Sequence, residues 1–119
     1  NIKDGYAIAH LGEKHIVPVI ITGRSSKILV KRCQELGIEE LYQGIEDKVA
    51  KLLEICKKYQ IEPNNVAYIG DDLNDLECMQ KCGYSAAPAD AVQKVLDTVG
   101  YVCKHRGGEG AVREFIEQL

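Results

Sequence analysis

The feature that most constrains this chain is an acidic turn directly after a short apolar run. Residues 66–69 read Val-Ala-Tyr-Ile, which is typical of a buried strand, and Gly70 ends the run. Three carboxylates, Asp71, Asp72 and Asp75, follow at once. Open α/β sheets bind ligands beyond the carboxyl ends of their strands, so we expect this turn to line a binding site. Carboxylate oxygens in such a place suit Mg²⁺.

A plainer interpretation of the same residues is local capping. Asp and Asn side chains are favoured at helix N-termini, and Gly-Asp is a common turn sequence. Any one of the three carboxylates could serve only to cap the helix that we expect to begin near Leu73. Three carboxylates so soon after a buried strand favour a metal site instead.

Size and composition indicate one ordinary soluble domain of 119 residues, 45% hydrophobic and 28% charged. The formal net charge of -3 provides no basic surface for nucleic acid or an anionic membrane, and no apolar run approaches membrane-spanning length. We therefore expect neither partner. The five cysteines form no Cys-x-x-Cys pair, so we interpret them as reduced core thiols of a cytoplasmic protein.

Helical patterns alternate with short apolar runs along the whole chain. This alternation predicts a three-layer, doubly wound (Rossmann-like) parallel sheet with helices on both faces, in a single α/β domain over residues 1–119. The predicted strands are 16–21, 38–42, 66–69, 84–87 and 100–103. The predicted helices are 6–11, 27–36, 47–59, 76–81, 88–97 and 111–119.

Three strand-end loops of this predicted sheet carry complementary polar groups. They supply the hydroxyl of Thr22, the ammonium of Lys48 and the carboxylates that begin at Asp71. Taken singly, a Thr after a strand is usually a cap, and a Lys at a helix start is usually a solvated surface residue. Together, a hydroxyl, a lysine and a magnesium-binding carboxylate make a phosphate site, and their order on successive α/β units is much more specific.

These motifs resemble those of haloacid dehalogenase-superfamily phosphatases. Residues 20–24 resemble the second motif of that superfamily, Lys48 the third, and residues 70–75 the fourth. The resemblance is narrower still to a small, capless branch, the 3-deoxy-D-manno-octulosonate 8-phosphate phosphatases. The further stretches that support this branch are 1–6, 41–44, 88–91 and 106–115.

The resemblance implies Mg²⁺-dependent hydrolysis of a 2-keto-3-deoxy sugar acid phosphate. It makes Asp71 the metal ligand, Asp72 and Asp75 supporting groups, and Thr22 and Lys48 the phosphate-binding residues. The residues implied to hold the substrate are Asn1, Ile2, Lys3, Asp4, Gly5, Arg24, Arg32 and Lys48. Guanidinium groups suit the 2-keto carboxylate, although Arg32 could equally be a solvated helix residue. Ala9 stands where the branch can carry a further arginine.

The first motif of the superfamily, Asp-x-Asp on the first strand, is absent from these residues. In the family its first Asp is the nucleophile and its second the general acid/base. The pattern places that strand in the middle of the sheet, where its absence would leave unpaired backbone groups on both neighbours. We interpret the sequence as lacking a few dozen N-terminal residues, rather than as a permanently inactive variant.

Two alternatives remain open on the sequence. One is a nonulosonate 9-phosphate phosphatase. The other is a non-catalytic C-terminal assembly domain of an acylneuraminate cytidylyltransferase, which would have no need of Thr22, Lys48 and an intact Gly-Asp-Asp motif.

The resemblance also implies a homotetramer, in which a neighbouring subunit covers the open site and excludes water. The loop 106–110 and the terminal helix are then expected to reach a partner's site. Deletion from Arg106 onward is accordingly expected to lower activity more than stability.

Overall fold

A mixed β-sheet forms the centre of the computed structural model, which describes residues 5–10, 16–107 and 110–117. The strands are β1 (Gly5–His10), β2 (Ile16–Ile21), β3 (Glu40–Tyr42), β4 (Val66–Ile69), β5 (Tyr84–Ala87) and β6 (Tyr101–Val102). The helices are α1 (Lys27–Leu36), α2 (Lys48–Tyr59), α3 (Leu76–Lys81), α4 (Gln93–Thr98) and α5 (Ala111–Glu117). The strand order is β3-β2-β1-β4-β5-β6.

Helices cover both faces of this sheet, which confirms the three-layer α/β architecture. Because successive strand residues point to opposite faces, Val66 and Tyr68 of β4 pack into a core with α2, α3 and α4. Ala67 and Ile69 face the other side and pack with Phe115 of α5. The pairs β2–β3, β4–β5 and β5–β6 are parallel, as the alternating pattern predicts.

The predicted helix over residues 6–11 is wrong, because residues 5–10 form β1. This strand pairs antiparallel with both β2 and β4 and occupies the central position for which the sequence offered no strand. The backbone groups of two flanking strands need partners, and this requirement outweighs the weak helical spacing of Ala7, Ile8 and Leu11.

The other elements agree with the sequence apart from their ends. Helix α1 begins and ends as predicted, and the Ser26 side chain accepts a hydrogen bond from the N–H of Leu29 at its N-terminus. Helix α4 begins at Gln93 rather than at Pro88, because the N–H of Val92 donates to the carbonyl of Asp71 before the helix starts. The described part of the chain contains no helix long and apolar enough to cross a membrane.

All five cysteines have free side chains in the structure. Cys33, Cys56, Cys78 and Cys103 are buried, and Cys82 is partly buried. Burial raises the pKa of the Cys78 thiol to about 11, which keeps that group protonated at neutral pH.

Glu40 ties the edge strand β3 to helix α2. Its buried carboxylate accepts hydrogen bonds from Lys58 Nζ at 2.5 Å, from the Tyr59 hydroxyl at 2.5 Å and from the Tyr42 hydroxyl. Burial opposes ionisation, but these donors outweigh it and lower the pKa of Glu40. The contact matters for the loop after β2, because the Tyr42 carbonyl accepts the backbone N–H of Thr22.

Replacement of Glu40 by Gln should reduce the acid sensitivity of folding. A carboxylate with a lowered folded-state pKa contributes stability above its unfolded pKa of about 4.3 and loses it as the pH falls through the folded value. The free energy of unfolding of the wild type, measured by urea denaturation, should therefore fall between about pH 5 and pH 3. The fall should be smaller in Glu40→Gln and unchanged in the exposed control Glu54→Gln. Parallel curves for wild type and Glu40→Gln would contradict this role.

Candidate functional site

The loops after β2 and β4 lie at the same edge of the sheet. Both strands run antiparallel to β1, so they run parallel to each other. Ile21 lies opposite Gly5, and Ile69 lies opposite Tyr6, so the two strands end at nearly the same level. Two strand spacings, about 10 Å, separate them. The turns that begin at residues 22 and 70 therefore meet across the end of β1.

Asp75 is the acceptor that joins several groups at this edge of the sheet. Its side chain is fully buried and its Oδ1 accepts hydrogen bonds from Lys48 Nζ at 3.0 Å and from the Tyr68 hydroxyl at 2.6 Å. Its Oδ2 accepts the backbone N–H of Asp72 at 3.3 Å. Lys48 is itself buried, so the two charges form an ion pair almost without solvent.

Gly70 makes this arrangement possible. A Cβ atom at residue 70 would lie 2.6 Å from Cγ of Asp75 and 2.7 Å from its Oδ2, closer than real Cβ contacts allow. The glycine of the Gly-Asp-Asp motif is therefore required by the close approach of the Asp75 carboxylate, in addition to ending the strand.

Asp72 has a different role from Asp75. Its Oδ1 accepts the N–H of Leu73 at 2.7 Å, and with Asp75 it forms a reciprocal capping arrangement on the 3₁₀ turn Leu73–Asp75. The capping interpretation of this carboxylate thus has direct structural support.

Asp71 is the carboxylate with an unpaired buried oxygen. Its Oδ1 is buried and accepts no hydrogen bond from the described residues. Burial, together with repulsion from Asp75 and Asp72, raises the pKa of Asp71 to about 6. A bound cation would supply both the missing partner and the missing charge, so this side chain fits Mg²⁺.

The described residues include no group of three or more His, Cys, Asp or Glu side chains arranged around a metal. Among the described carboxylates of the Gly-Asp-Asp turn, Asp71 is the one with a buried oxygen that has no hydrogen-bond partner. This is compatible with magnesium, which commonly takes one or two protein carboxylates and fills its other positions with water and phosphate oxygens.

Thr22 is buried at the start of the neighbouring loop. Its backbone N–H donates to the Tyr42 carbonyl at 3.0 Å, and its carbonyl accepts the N–H of Ile45 at 3.0 Å. Its hydroxyl oxygen accepts the N–H of Arg24 at 3.1 Å. The start of the loop is thus held by the end of β3 and by the turn after it, and these contacts define the position of the hydroxyl at the sheet edge.

The residues implied to hold a substrate are only partly assembled. Gly5 begins β1 at the same edge, and Arg24 follows Thr22 with an exposed side chain. Arg32 is exposed within α1. Asn1, Ile2, Lys3 and Asp4 lie outside the described residues. A groove of about 600 Å³ opens beside Lys48 and is lined also by Asn74, Leu73 and Lys94.

Two contributors to the site were not singled out from the sequence. Tyr68 was interpreted only as part of a buried strand, although its hydroxyl binds Asp75. Burial and the Asp75 charge raise its pKa well above the usual value, so it remains a donor. Asn74 lies with its Oδ1 3.5 Å from Lys48 Nζ. The sequence did offer one signal for Tyr68, because a hydroxyl in an otherwise aliphatic buried strand needs a hydrogen-bond partner.

A model of haloacid dehalogenase-like hydrolases matches residues 37–116 of this chain. The chain belongs to this family. The match includes Lys48 and the whole Gly-Asp-Asp turn.

The proteins similar in sequence to this chain include 3-deoxy-D-manno-octulosonate 8-phosphate phosphatases. That of Escherichia coli K12 is 44% identical over 119 residues, which cover 100% of this chain and 63% of the relative. That of Yersinia pestis is 46% identical, and the match covers 64% of its length. The chain thus spans less than two thirds of these relatives.

Solved structures agree with the fold. The Yersinia pestis phosphatase matches with a TM-score of 0.80 and 46% identity, over 82% of this chain and 52% of that one. A Moraxella catarrhalis phosphatase was solved with magnesium, phosphate and 3-deoxy-D-manno-octulosonate (KDO). It matches with a TM-score of 0.80 and 40% identity, over 82% of this chain and 56% of that one. The haloacid dehalogenase-like fold is thereby confirmed for this chain.

Replacement of Lys48 by Met should strongly destabilise the fold. It removes the counter-charge of a fully buried carboxylate, and uncompensated buried charges cost about 3 kcal/mol or more in the free energy of unfolding. Urea denaturation measures this loss. The double variant Lys48→Met/Asp75→Leu should recover part of it, and the exposed control Lys57→Met should change stability by less than about 0.5 kcal/mol. Equal stabilities of the two lysine variants would rule out the ion pair as a structural element.

Proposed function

We propose that this chain is the phosphate-binding part of a Mg²⁺-dependent phosphatase that hydrolyses 3-deoxy-D-manno-octulosonate 8-phosphate. The observation that carries the proposal is the buried Lys48–Asp75 pair together with the buried, unpaired carboxylate oxygen of Asp71 in the same turn. Phosphatases of this substrate in Escherichia coli and Yersinia pestis support it through their identity of 44% and 46% to the chain.

Each side chain has a chemical role in this proposal. Lys48 donates to Asp75 and approaches Asn74, and a lysine ammonium has three donors, so one N–H remains for a phosphate oxygen. Thr22 and the backbone N–H groups after it hold further non-bridging oxygens. Asp71 would hold Mg²⁺, which stabilises the charge that develops on a transferred phosphoryl group. Asp75 acts through Lys48 and orients its ammonium.

The nucleophile is proposed to come from an Asp-x-Asp segment outside these 119 residues, since the sequence contains no such motif. The coverage of only 63% of the Escherichia coli relative is compatible with this idea. In an aspartate mechanism the carboxylate attacks the phosphorus, the alcohol leaves with a proton from the second Asp, and water then hydrolyses the aspartyl-phosphate.

We also propose a cytoplasmic location, which the five free thiols support. A nonulosonate 9-phosphate remains the nearest alternative substrate. It differs from the eight-carbon acid in length, so a direct comparison of the two substrates separates them.

The proposed magnesium site predicts a specific loss on substitution of Asp71. Phosphate release by the full-length protein from a panel of sugar acid phosphates should require Mg²⁺ and should be fastest with the octulosonate ester. Asp71→Ala should lower turnover about a thousandfold or more, because the ion and its charge stabilisation are lost. Magnesium affinity, measured calorimetrically, should fall together with turnover.

The matched control is Asp97→Asn, an exposed carboxylate on α4 that accepts a hydrogen bond from Gln93. It should retain magnesium binding and turnover. Metal-dependent activity that survives in Asp71→Ala would eliminate Asp71 as the ligand. No turnover of any sugar acid phosphate by the wild type would favour the assembly-domain alternative.

The homotetramer implied by the resemblance is proposed to use the outer face of α1. Ile28 is 82% exposed and Leu36 is 62% exposed, and a contact with another subunit at this helix would bury both apolar side chains. Light scattering should give a tetramer for the full-length wild type and a smaller species for Ile28→Asp/Leu36→Asp. An unchanged mass in the double variant would place the interface elsewhere, and Lys31→Asp on the same helix controls for added charge.

A further inference from the structure

A second polar network holds the loop Lys104–Gly107, which connects β6 to α5. Strand β6 runs parallel to β5, and β5 runs parallel to β4. The chain after β6 therefore emerges at the same sheet edge as the Asp71 turn.

Glu114 of α5 organises the first half of this loop. Its Oε2 accepts the Tyr101 hydroxyl at 2.6 Å and the backbone N–H of Lys104 at 2.9 Å. Its Oε1 accepts the backbone N–H of His105 at 3.0 Å and lies 2.7 Å from the ring Nδ1 of the same residue. The Tyr101 hydroxyl, followed by the donors of Lys104 and His105, lowers the pKa of Glu114 to about 2. One carboxylate thus fixes the end of β6 and two successive loop residues.

The second half of the loop is tied to the residues after β5. The N–H of Ala89 donates to the His105 carbonyl at 2.9 Å, and the N–H of Gly107 donates to Asp90 Oδ1 at 2.7 Å. Two residues later, the N–H of Val92 donates to the Asp71 carbonyl at 3.2 Å. Hydrogen bonds therefore connect Glu114 through the loop to the turn that carries the proposed magnesium ligand.

Arg106 lies between the two anchored halves of the loop. Its side chain is exposed and forms no hydrogen bond or ion pair with the described residues. Hydrogen bonds fix the backbone of His105 and Gly107 on either side of it, so the side chain of Arg106 starts from a fixed backbone position at the rim of the site. Guanidinium groups bind carboxylates with two parallel hydrogen bonds.

We propose that Glu114 is a positioning residue that holds the Lys104–Gly107 loop so that Arg106 binds the carboxylate of a sugar acid phosphate. This inference rests on the proposed function. It assigns recognition of the sugar acid partly to the chain's own C-terminal loop, in addition to Arg24, and so differs from the expectation that this loop reaches a partner's site.

The same geometry revises the expectation for truncation at Arg106. Ala111 and Phe115 of α5 are core residues, and Phe115 stacks on Tyr84 with ring centroids 5.9 Å apart. Deletion of the segment would remove part of the core, so it would lower stability as well as activity. Point substitutions separate the two effects.

The test uses Glu114→Gln, Arg106→Ala and their double variant in the full-length protein. A glutamine side chain has one acceptor oxygen and cannot satisfy four donors, so the loop should loosen. KM for the octulosonate phosphate should rise about tenfold in each single variant, while kcat changes by less than about threefold. The double variant should resemble Arg106→Ala alone, because both changes remove the same contact.

Two further measurements distinguish positioning from general damage. Hydrogen exchange at the amides of Lys104 and His105 should accelerate about tenfold in Glu114→Gln. For p-nitrophenyl phosphate, which has no carboxylate, KM should rise by about threefold or less in the same variants. Glu117→Gln, on the same helix in an exposed pair with Arg113, should match the wild type in every measurement.

Several outcomes would overturn the proposal. These are unchanged amide exchange in Glu114→Gln, KM effects that multiply in the double variant, and equal losses for both substrates. If the wild type hydrolyses no sugar acid phosphate, the proposed function fails instead. The affinity for the free sugar acid, measured by calorimetry, then replaces KM, and unchanged affinity in Arg106→Ala overturns the inference.

Discussion

The buried ion pair between Lys48 and Asp75 is the constraint on which the rest of the site depends. Removing two charges from water costs several kcal/mol for each ion, so such a pair persists only with short contacts and further hydrogen bonds. Asp75 has both, since Tyr68 and the backbone of Asp72 complete its acceptor positions. Gly70 provides the space. The fourth motif is therefore a packing unit that joins β4 to helix α2, and its chemistry follows from that packing.

This packing gives the three neighbouring carboxylates different contacts. Asp75 is occupied by Lys48 and Tyr68, and Asp72 caps the following turn. Only Asp71 retains a buried oxygen with no donor among the described residues, and burial, followed by the two neighbouring charges, raises its pKa. The capping interpretation of the acidic turn thus holds for Asp72, and Asp71 remains the proposed metal ligand.

Local patterns predicted those parts of the structure that local physics determines. Helix α1 and strand β4 follow from apolar spacing and caps, and the edge location of Thr22, Lys48 and Asp71 follows from strands that end together. Contacts between distant residues had no local signal. Glu114 binds residues nine to thirteen positions away, and Tyr68 reaches a carboxylate across a turn. These polar groups look like ordinary surface or core positions until the fold brings their partners together.

Strand β1 shows how connection length determines strand direction. Five residues separate His10 from Ile16, which is enough for a hairpin between antiparallel neighbours and too short for the crossover that parallel neighbours need. Any strand that lies parallel to β2 and β4 in the central position must therefore arrive from elsewhere in the chain. A proposed Asp-x-Asp strand in that position would have to displace β1. The sequence also carries the helical spacing of Ala7, Ile8 and Leu11, so the stretch that forms β1 is compatible with a strand when the position is open and with a helix when it is filled.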